Sequence, residues 1–216
     1  EIIFGGTPSL SRQGLGSIAT LMLNVAAGAF GDAAIAGMSI VTRISFFTYA
    51  MVIGLGQGFQ PLCGFCYGAK LYGRVKEAFF FCIKCGTVFL SVCAVLGFIF
   101  STSIISIFRD DAEVVAVGSA ALRWQVLSFP LVASIVLTNM LMQTIRKPVR
   151  ANIVAAARSG LFFIPLIFIL PYFFGLLGVE MCQMWADFCS FAVAVPIAWS
   201  AFRDMRREQM KVKKTT

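Results

Sequence analysis

The sequence predicts an all-α integral membrane protein built as a six-transmembrane-helix bundle. Three observations predict it. The chain of 216 residues is 59% hydrophobic and only 13% charged, where a soluble domain has roughly 45–50% apolar and about 25% charged residues. Six runs are each apolar over about the 20 residues that a helix needs to cross a bilayer. The basic residues gather on every second connection between those runs. With a mean hydropathy of +0.86, this much apolar surface needs lipid as its solvent.

The runs are Pro8–Phe30, Ala33–Gln60, Ala78–Phe100, Val114–Met142, Ile153–Leu170 and Val179–Phe202. The first is the weakest, because Arg12, Gln13 and Asn24 interrupt it. Lys70, Arg74 and Lys76 follow the second run, and Arg146, Lys147 and Arg150 follow the fourth. Arg203, Arg206, Arg207, Lys211, Lys213 and Lys214 follow the sixth. The other connections hold the single basic residue Arg109, with Asp32, Asp110, Asp111, Glu113 and Glu180. Basic loops stay in the cytoplasm, so the expected location is the cell membrane, multi-pass, with both termini of this segment cytoplasmic. Residues 1–202 are then the transmembrane lobe and residues 203–216 a basic cytoplasmic tail that anchors to anionic lipid.

The net charge of +8 does not point to nucleic acid, because the basic clusters flank apolar runs instead of interleaving with aromatics on a soluble module. Enzyme chemistry fails on inventory: the chain has no His, no paired carboxylates inside a run and no Ser-nucleophile motif. There is no phosphate-binding loop for ATP. No cofactor is expected. Cys63-x-x-Cys66 and Cys82-x-x-Cys85 have zinc-ribbon spacing, but they lie in apolar helix, where a free Cys is a small hydrophobe, so no metal site is expected. The start at Glu1, without Met or a signal peptide, leads us to expect a part of a longer protein.

Between Gly54 and Lys70 the second run becomes rich in glycine and polar residues, with Gln57, Gln60 and Pro61. Weakened backbone at membrane depth is tolerated where it packs in protein or lines a watery path, and transporters place discontinuous helices beside their substrates. A break is therefore expected within Gln57–Tyr67. Gly54 with Gly58 and Gly64 with Gly68 form two pairs at spacing four, which suits either close helix packing or a hinge about Pro61.

The stretch Gln57-Gly58-Phe59-Gln60-Pro61-Leu62, continued by Gly64-Phe65-Cys66-Tyr67-Gly68-Ala69, resembles the GQGxQPxxGxNxGA signature of the multidrug and toxic compound extrusion family, in its carboxy-terminal lobe. Pro8–Gln13, Phe108–Val114, Gln143–Pro148, Arg158 with Ile164-Pro165-Leu166 and Leu170-Pro171, and Gly175–Val179 with Asp187 resemble further parts of that lobe, in order. The resemblance implies one lobe of a twelve-helix secondary antiporter, Na+- or H+-coupled, that exports organic, cationic drugs or metabolites. Its implied partners are the bilayer, a small organic substrate and an amino-terminal lobe of the same protein. Cys66 stands where the family often has Asn. The first and fourth runs lack the interior carboxylates that some members carry, so the coupling ion is expected in the amino-terminal lobe. A lipid-linked sugar flippase of the wider superfamily, with Arg12, Arg43, Arg123 and Arg158 converging on a pyrophosphate, is the alternative, as is a non-transporting assembly subunit.

Intramembrane charges are functional-site candidates by default. Asp187 lies about 10 Å past Glu180 along a helix, and Arg43 about 16 Å past Asp32. Their depths suggest an Arg43–Asp187 ion pair or a transport role. Arg123 and Arg158 are expected to project into the bundle from opposite sides, for packing and gating. Asn24, Gln57, Gln60, Asn139 and Gln143 are either interhelical hydrogen bonders or cavity lining. Asp110, Asp111 and Glu113 suit the amino terminus of the helix that follows them.

Overall fold

A computed structural model describes the backbone of residues 2–215 and the side chains of residues 13–210. The side chains of Arg12, Lys211, Lys213 and Lys214, and the start-of-lobe residues Pro8–Ser11, lie outside that described set. Helices α1 (Ile2–Gly28), α2 (Asp32–Gly68), α3 (Tyr72–Ile99), α4 (Ser101–Phe108), α5 (Ala112–Thr144) and α6 (Pro148–Ala156) come first. A π-helical turn (Ala157–Leu161), α7 (Phe163–Phe174) and α8 (Leu176–Thr215) complete the chain. The π turn joins α6 to α7, and together they make one interrupted rod. The lobe is thus six rods plus the short α4. Among the described residues, α2, α3, α5, the α6–α7 rod and α8 are long and apolar enough to cross a membrane. Helix α1, the weakest run in the sequence, has 27 residues and extends about 40 Å.

Helix α5 is the central rod, packed against α2, α3 and α8. Small residues let backbones approach closely, and α2 meets α5 in this way: a Cβ on Gly37 would stand 3.1 Å from the Gly118 nitrogen. At the α7–α8 connection, a Cβ on Gly178 would collide with the Leu170 carbonyl and the Pro171 nitrogen, so α7 turns tightly into α8. Gly175, at φ 59°, makes that turn. Pro171 lies inside α7, not in the connection where the sequence suggests it.

Helix ends follow local chemistry. Asp111 caps α5, its Oδ1 accepting from the Glu113 and Val114 amides, as expected from the acidic run. Helices α2 and α5 both stop through paired backbone bonds. Leu71 N donates to Cys66 O and Lys70 N to Tyr67 O. Lys147 N donates to Met142 O and Arg146 N to Gln143 O. This is the Schellman pattern, with Lys70 (φ 59°) and Arg146 (φ 55°) at the left-handed position that glycine ordinarily takes.

The expected break at Gln57–Tyr67 does not occur. Helix α2 runs unbroken to Gly68, with Pro61 inside it. Pro61 and Gln57 are both exposed on this lobe, so the hydrogen bond that Pro61 cannot make orphans no buried carbonyl. The interruption lies in the fifth rod, where Phe162 N bonds to Ala157 O in a π turn, a feature that recurs at functional sites. Helix α8 likewise continues past Phe202 through Thr215.

Candidate functional site in the lobe interior

The rods α1, α2, α5, α7 and α8 line a half-open cavity of about 380 Å³. Thr42, Ser45, Tyr49 and Ile53 line it from α2, at the three- and four-residue spacing that puts side chains on one helix face. Gln125 reaches it from α5, Gln183 from α8, and Arg158 and Ser159 from the π turn. Phe46 and Phe163 supply aromatic wall. Gln125 is 5% exposed, and Ser45 Oγ is buried with no hydrogen-bond partner.

Behind this lining sits a buried ion pair. Arg158 Nε donates to Asp187 Oδ1 at 2.7 Å. Ser128 Oγ donates to Asp187 Oδ2 at 2.8 Å and Gln183 Nε2 to Oδ1 at 3.1 Å. Asp187 is 0% exposed, whereas the Arg158 side chain is 18% exposed. The guanidinium lies 4.5 Å from the Tyr49 ring centroid, within cation–π range. A buried carboxylate is tolerable when paired and hydrogen-bonded on both oxygens, and both conditions hold here.

The Arg43–Asp187 pair suggested by depth is overturned. Arg43 is exposed on α2, two residues beyond buried Val41 and so about 200° around the helix from it. Arg123 does not enter the bundle either: it is exposed, its Nε donates to Ser101 Oγ at 2.9 Å, and its guanidinium lies 5.9 Å from the Phe98 ring. Neither lines the cavity, so the arginine convergence of the flippase alternative is not found among the described side chains. Glu180, counted in an outer connection, is inside α8 and 4% exposed, with Oε2 unpartnered.

The neutral polar candidates separate into two groups. Asn139 Nδ2 donates to Ala151 O at 2.7 Å, tying α5 to α6, and within α5 Gln143 Nε2 donates to Asn139 Oδ1 at 2.6 Å. Gln57 and Pro61 are exposed, Gln60 and Asn24 half-buried, and none lines the cavity. Gly54, Gly58 and Gly68 have nothing within 4 Å of a Cβ position, and Gly64 only Thr144 Cγ2 at 3.5 Å. Gly54 and Gly58 instead border an open groove of about 580 Å³ between α2 and α3. Cys63, Cys66 and Cys82 are buried and Cys85 is exposed, all as free thiols.

Sequence reasoning passed over Ser45, Tyr49, Gln125, Ser128 and Gln183. Gln183 stands one turn before Asp187, and Gln125 one turn before Ser128. A face analysis around Asp187 would have found Gln183. A serine leaves no such signal, because a hydroxyl in a helix can also bond back to its own backbone, as Thr42 does to Met38 O.

A second polar cluster ties down the end of α8. Lys147 Nζ and Arg150 Nη1 donate to Asp204 Oδ2 at 2.6 and 3.2 Å, and Tyr72 Oη donates to Glu208 Oε2 at 2.8 Å. Asp204 lies past the apolar stretch of α8, and its bond to the Lys147 ammonium holds its carboxyl below the usual range, with Arg150 adding to the effect.

The model of the MatE family matches residues 8–169, three quarters of the chain. The chain belongs to the MatE family. Members are transporters, not enzymes, and this MatE chain is a multi-pass membrane protein. It is 28% identical over 194 residues to the multidrug export protein MepA of Staphylococcus saprophyticus, covering 89% of this chain and 42% of that protein. It is 26% identical over 200 residues to MepA of Staphylococcus haemolyticus, covering 93% and 44%. The MatE fold is shared with the Vibrio cholerae MATE transporter VcmN in the bent form (TM-score 0.86, 19% identity, 92% of this chain and 45% of that one). It is also shared with a MOP superfamily transporter from Pyrococcus furiosus (TM-score 0.87, 19% identity, 93% and 46%). The chain spans less than half the length of the curated relatives it matches.

Proposed function

We propose that this MatE chain is the carboxy-terminal lobe of a secondary active antiporter that exports organic drugs or metabolites in exchange for Na+ or H+. The observation that carries the reading is the cavity inside an apolar bundle, lined by Ser45, Gln125, Arg158 and Gln183, since polar lining at membrane depth marks a substrate or ion path. The names of the two staphylococcal relatives, multidrug export proteins, support the direction of transport. An amino-terminal lobe supplies the opposite wall of the path and the coupling-ion site. Gln57 and Pro61, exposed on α2, and the half-buried Gln60 face that lobe or the bilayer, and the glycines beside them let the contact be close. Arg123, Asn139 and Gln143 hold the lobe together, and both termini of the segment face the cytoplasm with the basic tail against anionic lipid. A cationic cargo finds its counter-charge in the other lobe, because the one ionised side chain among the described cavity residues is Arg158.

Ethidium efflux from cells that express the chain as part of a two-lobe transporter tests this reading. Efflux that an ionophore abolishes is expected. Efflux that persists without an ion gradient overturns it.

A further inference from the structure

The ion pair leaves Arg158 only partly used. Guanidinium carries five N–H donors in a fixed fork, and Asp187 takes the one on Nε. Among the described residues, the two terminal nitrogens have no partner at good hydrogen-bond geometry, although the Tyr49 side chain lies close enough to interact with the guanidinium, and they are not among the buried, unpartnered atoms. The side chain reaches the cavity while Asp187 is 0% exposed. A molecule in the cavity therefore meets the donor edge of the cation and not the carboxylate behind it. Ser45 Oγ, unpartnered, and the Gln125 amide, with no side-chain hydrogen bond among the described residues, stand in the same wall. Phe46, Tyr49 and Phe163 offer aromatic surface. The volume of about 380 Å³ lies within the roughly 300–1,000 Å³ of small-molecule sites.

We propose that this cavity binds amphipathic organic acids, with the carboxylate on the free edge of Arg158 and the apolar body against Phe46, Tyr49 and Phe163. The acid shares the guanidinium with Asp187, and Ser45 and Gln125 supply the donors that offset the added negative charge. Planar forks match carboxylates two bonds at a time, which a lysine ammonium does not do. This inference rests on the exporter reading and narrows its cargo to a class that the resemblance does not suggest.

The test uses the chain in lipid nanodiscs and three fluorescent probes with one aromatic body: dansylglycine, an acid; dansylamide, neutral; and dansylcadaverine, a cation. Signal from empty nanodiscs is subtracted. Dansylglycine is expected to bind tightest, and Arg158→Lys, which keeps the charge but not the fork, to weaken it about tenfold while leaving dansylamide unchanged. Should Arg158→Lys fail to fold, Ser45→Leu narrows the same wall and is expected to weaken all three probes. Equal or tighter binding of dansylcadaverine to the native chain overturns the proposal. So does dansylglycine affinity that neither variant changes. Ionophore-sensitive ethidium efflux without dansylglycine binding removes the acid site but not the exporter. Dansylglycine binding with gradient-independent efflux removes the exporter but not the site.

Discussion

Arg158 and Asp187 meet at 2.7 Å where a π turn in the fifth rod faces α8. The turn shifts the helix register by adding a residue to one hydrogen-bonded ring, and Arg158 is on that turn. The carboxylate is closed off from the cavity and the cation is not. Charge that is costly in lipid is thus held at one junction of three rods, since Ser128 of α5 bonds the same carboxylate.

Breaking the pair leaves one buried charge uncompensated. Asp187→Asn or Arg158→Met is expected to cost about 3–5 kcal/mol, read as a fall in melting temperature in detergent. The double replacement Arg158→Met with Asp187→Leu should regain most of that loss. Exchanging Arg43 and Asp187 should rescue nothing. A double variant as unstable as the worse single one would argue against the pairing.

Two sets of glycines should respond with opposite sign. Gly178→Ala places a Cβ against the Leu170 carbonyl, rigid backbone, and should prevent stable folding. Gly58→Ala meets nothing within 4 Å and should raise the stability of this chain by about 0.5–1 kcal/mol through helix propensity. Paired melting curves decide it.

Lys70 and Arg146 hold left-handed backbone with side chains that disfavour it. Lys70→Gly is expected to gain about 1 kcal/mol of thermal stability, and Arg146→Gly a similar amount. A loss in both would mean that the basic side chains contribute more than the strain they impose.

The cluster at the end of α8 carries a pH signature. The folded carboxyl of Asp204 sits below its ordinary range. Its contribution is therefore complete above the ordinary carboxylate value and lost as pH falls through the lowered folded value. The stability gap between the native chain and Asp204→Asn should be constant near neutral pH and close in acid. A gap independent of pH would show that charge at Asp204 is not what ties α8 to Lys147.

Much of the architecture was legible in one dimension. Hydropathy marked all six rods, the acidic run before α5 foretold the Asp111 cap, and the Gln57–Ala69 motif resembled the family to which the chain belongs. Asn139 bonds across to α6, one of the two readings weighed for it, whereas Gln143 bonds within α5. The break did not fall where glycine and proline suggested, because Pro61 occupies an exposed helix face, and nothing in the composition of Ala157–Leu161 announces a π turn.

Position along a rod can be counted from the sequence, and membrane residence, rod number and the depth of Asp187 follow from such counting. Direction around a rod cannot, because it is set by which neighbours pack there. Depth alone made Arg43 a partner for Asp187, and packing chose Arg158. The cavity, its hydroxyls and the half-used guanidinium are properties of that packing: residues from five rods become one site only once those rods pack together.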